Sequence, residues 1–185
     1  RAVLDLSLGR TIVDTEEFGV TTREEGIDAA IGLDYAMPNG SASADFAATT
    51  TQDGTRVDLT FGRSLDLPTG ALSASLGLTR PEGGDVELIG ALLWRRDLPT
   101  GSLTARAERS VRTTSSDEQR LTTFLAVGYD HQINDVSGLG LDMSYAFIDE
   151  TGTDASQDRA SLSASYSHAL TPDWNMNLGL AYQMR

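Results

Sequence analysis

Between residues 138 and 147 the side chains separate by parity without exception. Leu139, Leu141, Met143, Tyr145 and Phe147 take one set of alternate positions, and Gly140, Asp142, Ser144 and Ala146 the other. Successive side chains of a strand point to opposite faces, so this stretch predicts a strand with one large apolar face and one small or polar face. The sorting recurs along the chain. Leu4, Leu6 and Leu8 alternate with Asp5, Ser7 and Gly9, which predicts a first strand over residues 2–13 and a polar connection over residues 14–26. A second strand sets Ile27, Ala29, Ile31, Leu33 and Tyr35 against Asp28, Ala30, Gly32 and Asp34. A third sets Phe46 and its neighbouring alanines against Asp45 and serines, and a fourth sets Val57, Leu59 and Phe61 against Arg56, Asp58 and Thr60.

Strands five to seven follow with Leu72 to Leu78, Val86 to Trp94, and Leu103 to Ala107 on the bulky parity. Strand eight carries Leu121, Leu125, Val127 and Tyr129, although Phe124 breaks its alternation. Strand nine is the opening stretch. Strand ten places Leu162, Ala164 and Tyr166 over serines, and strand eleven places Trp174, Met176, Leu178, Leu180 and Tyr182 over Asn175, Asn177, Gly179 and Gln183. One internal repeat stands out: Asp66-Leu67-Pro68-Thr69-Gly70 recurs as Asp97-Leu98-Pro99-Thr100-Gly101, an offset of 31 residues. That spacing is about two strands of ten residues and their connections, so the repeating unit is one hairpin.

Such alternation fits two architectures. A soluble sandwich presses its bulky face against a second sheet, whereas a transmembrane barrel turns that face to lipid. Two features separate them. Short connections follow strands two, four, six, eight and ten, at residues 38–40, 67–70, 98–101, 134–137 and 170–173, while longer or more acidic ones follow the odd-numbered strands. Tight turns at one end and loops at the other are the asymmetry of outer-membrane barrels. Aromatic placement agrees. Tyr35, Phe61, Trp94, Tyr129, Tyr166 and Trp174 lie on the bulky parity close to the short turns, and Tyr145, Phe147 and Tyr182 mark the opposite edge. Tyr and Trp favour the headgroup level, where an amphipathic ring meets lipid and water together, so these residues are expected to form a membrane girdle. The competing explanation is aromatic cross-strand pairing inside a sandwich core.

In these respects the chain resembles bacterial outer-membrane β-barrel proteins, porin-like in the broad sense, over nearly its whole length, by pattern rather than by a motif that singles out one member. The resemblance implies an all-β fold, an antiparallel up-and-down transmembrane β-barrel in the outer membrane of a Gram-negative cell. It implies outer-membrane lipid and the barrel-assembly machinery as partners, and it carries over no catalytic residue. Eleven strands are visible, an odd number, whereas single-chain bacterial barrels have an even one. The expectation is therefore a barrel of twelve or more strands, of which this chain is a fragment lacking a closing strand and an N-terminal leader or passenger.

Charge then narrows the function. The 185 residues carry 27 Asp plus Glu against 14 Lys plus Arg, all of them Arg, for a net charge of -13. Nucleic-acid binding needs clustered cations to displace counterions from phosphates, so that class is excluded. Cysteine is absent, which removes disulfides, thiolate metal sites and a cysteine nucleophile. No apolar run approaches the ~20 residues of a spanning helix. On the small-residue parity the chain places Asp5, Asp28, Asp34, Asp45, Asp58, Glu87, Glu108, Asp130 and Asp142, with Arg56, Arg95, Arg106, Arg120 and Arg159. In a filled barrel these would form a cross-strand ion-pair network; in an open one they would line a hydrated pore. The abundance of Gly, Ala and Ser at the other inward positions leaves space, which favours a narrow, weakly cation-preferring pore for small hydrophilic solutes or cations. The alternative is a membrane-anchoring or translocator barrel of a larger polypeptide.

Catalytic chemistry finds little support. His131 and His168, the two histidines, lie at the short-turn edge on the outward parity, where no acid-base partner set is arranged around them. Gly138-Leu139-Gly140 lies within a strand and not before a helix, so it is no phosphate loop. Acidic residues of the loop side, such as Glu16, Glu24, Asp149 and Asp154, read as a solvated face, since no stretch has calcium-loop spacing. No metal and no cofactor are expected.

Overall fold

A computed structural model describes residues 1–17, 20–51, 54–81, 84–113, 119–150, 156–171 and 173–185. All its regular elements are strands: β1 (Ala2–Glu17), β2 (Val20–Met37), β3 (Gly40–Thr50), β4 (Thr55–Leu67), β5 (Gly70–Arg80), β6 (Glu87–Leu98), β7 (Gly101–Thr113), β8 (Gln119–Asn134), β9 (Ser137–Glu150), β10 (Ser156–Thr171) and β11 (Trp174–Met184). They belong to one sheet in which neighbours in sequence are neighbours in space, from β1 to β11. The eleven strands expected from the alternation are thus present. The residues divide into two compact units, Arg1–Ser64 with Ser75–Gly90, and Leu65–Ala74 with Ala91–Arg185.

In the first unit β1 and β2 pair in one unbroken antiparallel register from Ala2 opposite Tyr35 to Glu17 opposite Val20. This corrects the expected polar connection over residues 14–26. Ladder hydrogen bonds come from the backbone and do not require apolar side chains, and the β-branched Val20, Thr21 and Thr22 suit a strand, so pairing continues past the apolar band. The length asymmetry between the two sets of connections is correspondingly weaker after β1. Across β1, β2 and β3 the bulky residues Leu6, Ile31 and Phe46 fall in one row, and Asp5, Gly32 and Asp45 in the next row on the other face.

In the second unit β7 to β11 pair consecutively and antiparallel. Their register aligns Tyr129, Leu141, Ala164 and Leu180 in one bulky row. The rows bear out the parity sorting in β1–β3 and in β7–β11. Small shifts of register occur between Gln132 and Asn134 and between Ala169 and Thr171, both beside short turns.

The bulky face is uncovered. Leu6 is 70% exposed, Leu178 58% and Leu180 80%, and among the described residues the buried hydrophobic side chain is Val111. A sandwich core would bury such residues, each worth about 1.5–3 kcal/mol when removed from water. The chain folds its sheet without spending its leucines on a protein interior.

The repeated Pro-Thr-Gly turns have a shared construction. Pro68-Thr69 and Pro99-Thr100 form two-residue turns, each followed by a strand that starts on glycine. Gly70 has φ of 141°, a conformation that side chains rarely adopt, and a Cβ there would also run into the carbonyl oxygen of Arg95. A Cβ on Gly101 would meet the carbonyl oxygen of Asp130 in the same way. The backbone amide of Asp97 donates to the Thr69 carbonyl oxygen at 3.0 Å, and that of Gln132 to Thr100 at 2.6 Å. Each copy of the repeat therefore seats one hairpin's turn against the end of the next hairpin, which explains why a turn sequence should recur so closely.

Candidate functional site

The small-residue face carries the sites the sequence singles out. In the first unit, register places Asp28 between Gly9 and Thr49, Asp34 between Val3 and Ser43, and Asp45 opposite Gly32. The Thr49 hydroxyl donates to Asp28 Oδ1 at 2.8 Å. Arg56 on β4 pairs with Asp58 of its own strand at 2.9 Å, through Nε to Oδ2. In the second unit Arg95 pairs with Asp97 at 3.0 Å and Arg106 with Glu108. Asp142 lies between Gly128 and Ser163, Arg159 opposite Ala146, and Arg120 opposite Glu150.

These ion pairs run along strands, between residues two apart, and not across them. The reason is geometric: residues i and i+2 share a face, and an extended Arg reaches a carboxylate there without needing the neighbouring strand's register. Pairs this exposed contribute little to stability. Their consequence is electrostatic. Arg56, Arg95 and Arg106 are neutralised locally, while Asp34, Asp45 and Asp142 have no ion-pair partner among the described residues, so the face keeps an acidic excess. Glu87 lies on this same parity at the start of β6.

Phe124, the exception to the alternation, also belongs here. Its ring lies beneath the guanidinium of Arg106, with the carbon of the guanidinium 5.7 Å from the ring centroid.

On the opposite face Tyr35, Phe61, Tyr145 and Trp174 are exposed, and Trp94, Tyr129 and Tyr166 half-buried. Tyr129 stacks on His131 with ring centres 5.9 Å apart, and Tyr166 on His168 at 6.2 Å. Both histidines thus pack on their own strand's tyrosine at the short-turn edge, as neighbours two residues apart do. No group of three or more metal-ligating side chains occurs among the described residues.

What the residue pattern did not single out is a hollow on the small-residue face of the second unit. Two adjoining concavities of about 430 and 280 Å3 share Gln132, Gly138 and Ser167. The first extends to Asn175 and Asn177, the second to Asp130 and Ser165. The available signal was the run of neutral amides and hydroxyls at this end, in a face otherwise rich in charge.

Comparison with protein-family models, with curated proteins and with solved structures finds no match.

Proposed function

We propose that this chain is a porin-like outer-membrane β-barrel that forms a narrow, weakly cation-preferring pore for small hydrophilic solutes. The single observation that carries the reading is the uncovered bulky face: Leu6, Leu178 and Leu180 stand in aligned rows with nothing of the described chain over them. Rows of exposed leucine are costly in water and stable against hydrocarbon. Tyr35, Phe61 and Trp174, exposed at one edge of those rows, supply the rings that suit a membrane interface.

The other face supports the pore. Arg56, Arg95 and Arg106 are paired within their strands, its glycines and serines occupy little volume, and Asp28, Asp34, Asp45 and Asp142 give it a negative potential that attracts cations. Outer-membrane lipid and the assembly machinery are the partners this reading requires.

Reconstitution into planar bilayers tests it. Stepwise conductance with a reversal potential on the cation side is the expected result. Protein that inserts but conducts nothing would instead be an anchor or translocator. Protein that stays monodisperse without detergent overturns the membrane reading altogether.

A further inference from the structure

The strand β9 contains two glycines, Gly138 and Gly140, on its small-residue face; polar side chains of both neighbouring strands approach Gly140, and a hydroxyl of β10 approaches Gly138. Gly140 pairs with Asp130 of β8 and with Ser165 of β10. A Cβ at Gly140 would lie 2.6 Å from Ser165 Oγ and 3.5 Å from Asp130 Oδ1, so a carboxylate and a hydroxyl converge above a residue with no side chain. Gly138 pairs in register with Gln132 and Ser167, with Ser167 Oγ 3.2 Å from the Cβ position and the His131 carbonyl oxygen at 3.6 Å, and Asn177 of β11 continues the row. The result is a bare floor with polar walls, and its two concavities lie within the second unit. Together they fall in the size range of small-ligand pockets.

The chemistry of the walls selects a class of ligand. Among the described residues no arginine lines either concavity, so an anion finds no countercharge. The acids present form no metal-ligating group of three. What remains is two carboxylates, Asp130 and Asp135, the imidazoles of His131 and His168, several carboxamides and several hydroxyls. Asp130, Gln132, Ser165, Ser167 and Asn177 have no hydrogen-bonded partner among the described side chains. A carboxamide offers two donors and an acceptor, a hydroxyl offers both roles, and a carboxylate only accepts. A ligand matching that set donates and accepts at closely spaced points and carries no negative charge. Adjacent hydroxyls on a sugar ring do both.

We propose that this hollow is a binding site for neutral polyhydroxylated solutes of mono- or disaccharide size, with Asp130 accepting from two neighbouring hydroxyls and Gln132, Ser165, Ser167 and Asn177 completing the contacts. The inference deepens the pore reading, on which it rests for the route by which solute arrives. Glycine at 138 and 140 is required because any larger residue would occupy the floor, which accounts for both glycines in a strand that is otherwise well furnished with side chains.

The test is calorimetric titration of the folded protein in lipid nanodiscs with sucrose, alongside bilayer conductance with and without sucrose. Saturable sucrose binding is expected, weakened about tenfold or more in Asp130→Asn, as befits a lost hydrogen bond to a charged group. Ser165→Ala, which removes one hydroxyl and no structure, should weaken it several-fold; this second variant keeps the test decisive if Asp130→Asn folds poorly. Sucrose binding without conductance supports the site and ends the pore reading. Conductance without sucrose binding, or binding equally strong in both variants, overturns the site and leaves the pore reading standing. Saturable calcium binding that displaces sucrose and is lost in Asp130→Asn also overturns it, by assigning the hollow to a cation.

Discussion

The guanidinium carbon of Arg106 lies 5.7 Å from the centre of the Phe124 ring, on the face otherwise given to small and polar side chains. Arg106 also pairs with Glu108, so one cation is held by a carboxylate on its own strand and a ring on the next. Phe124 is in this light no error of alternation but a platform for a charge. Replacing Phe124 by Leu should lower stability by about 0.5–1 kcal/mol in an Arg106 background and by much less in an Arg106→Met background. Urea titration of the four proteins in lipid vesicles gives the coupling directly, and a coupling of zero would remove the interaction.

The turns of the repeat make a sharper prediction. Gly70→Ala places a methyl group where the Arg95 carbonyl oxygen already stands and forces a left-handed conformation on alanine. A loss of about 1–3 kcal/mol is expected. Gly179→Ala is the control, because its nearest neighbour would be Ala164 O at 4.0 Å, an ordinary contact. Thermal unfolding should separate the two variants clearly.

Facing should decide the effect of charge. Leu178→Arg puts a cation on the exposed bulky face and is expected to cost about 2–4 kcal/mol if that position lies near mid-bilayer. Asn177→Arg, one residue away on the other face, should cost far less. Equal effects in vesicle folding assays would contradict the assignment of hydrocarbon to one side only.

The paired arginines should matter for selectivity and not for folding. Arg56→Ser and Arg95→Ser each remove a partly exposed ion pair, worth less than about 1 kcal/mol, and Arg106→Ser removes one together with its contact to Phe124. Together they release Asp58, Asp97 and Glu108, which should move the reversal potential further to the cation side. An unchanged potential would place these side chains away from the conduction path.

A last prediction concerns Thr79, whose side-chain hydroxyl is fully buried without a hydrogen-bond partner among the described residues. Thr79→Val keeps the shape and removes the unsatisfied group, so stability should rise by about 1–2 kcal/mol. Denaturant unfolding would show it, and a fall in stability would mean that the hydroxyl is satisfied.

Much of this arrangement was legible along the chain. Within the first unit alternation set Leu6, Ile31 and Phe46 apart from Asp5 and Asp45, within the second it set Tyr129, Leu141 and Leu180 apart from Asp142, and Pro-Thr-Gly marked two turns correctly. The ends of strands were less legible. Residues 20–26 read as a connection because their side chains are polar, yet their backbone pairs with β1 all the same. The partners of the charges were not legible either. An Arg two residues from an acid and an Arg opposite one on the next strand look alike until the register and the side-chain direction are known.

The sequence by itself determined which side chains share a face, because a strand's period of two is a local property that needs no partner. Only the tertiary structure decided what each face does with its neighbours: that the leucines stay uncovered, that Phe124 underlies Arg106, and that Asp130 and Ser165 meet over Gly140. Those relations depend on register across three strands, and register is settled by pairing between segments far apart in the chain.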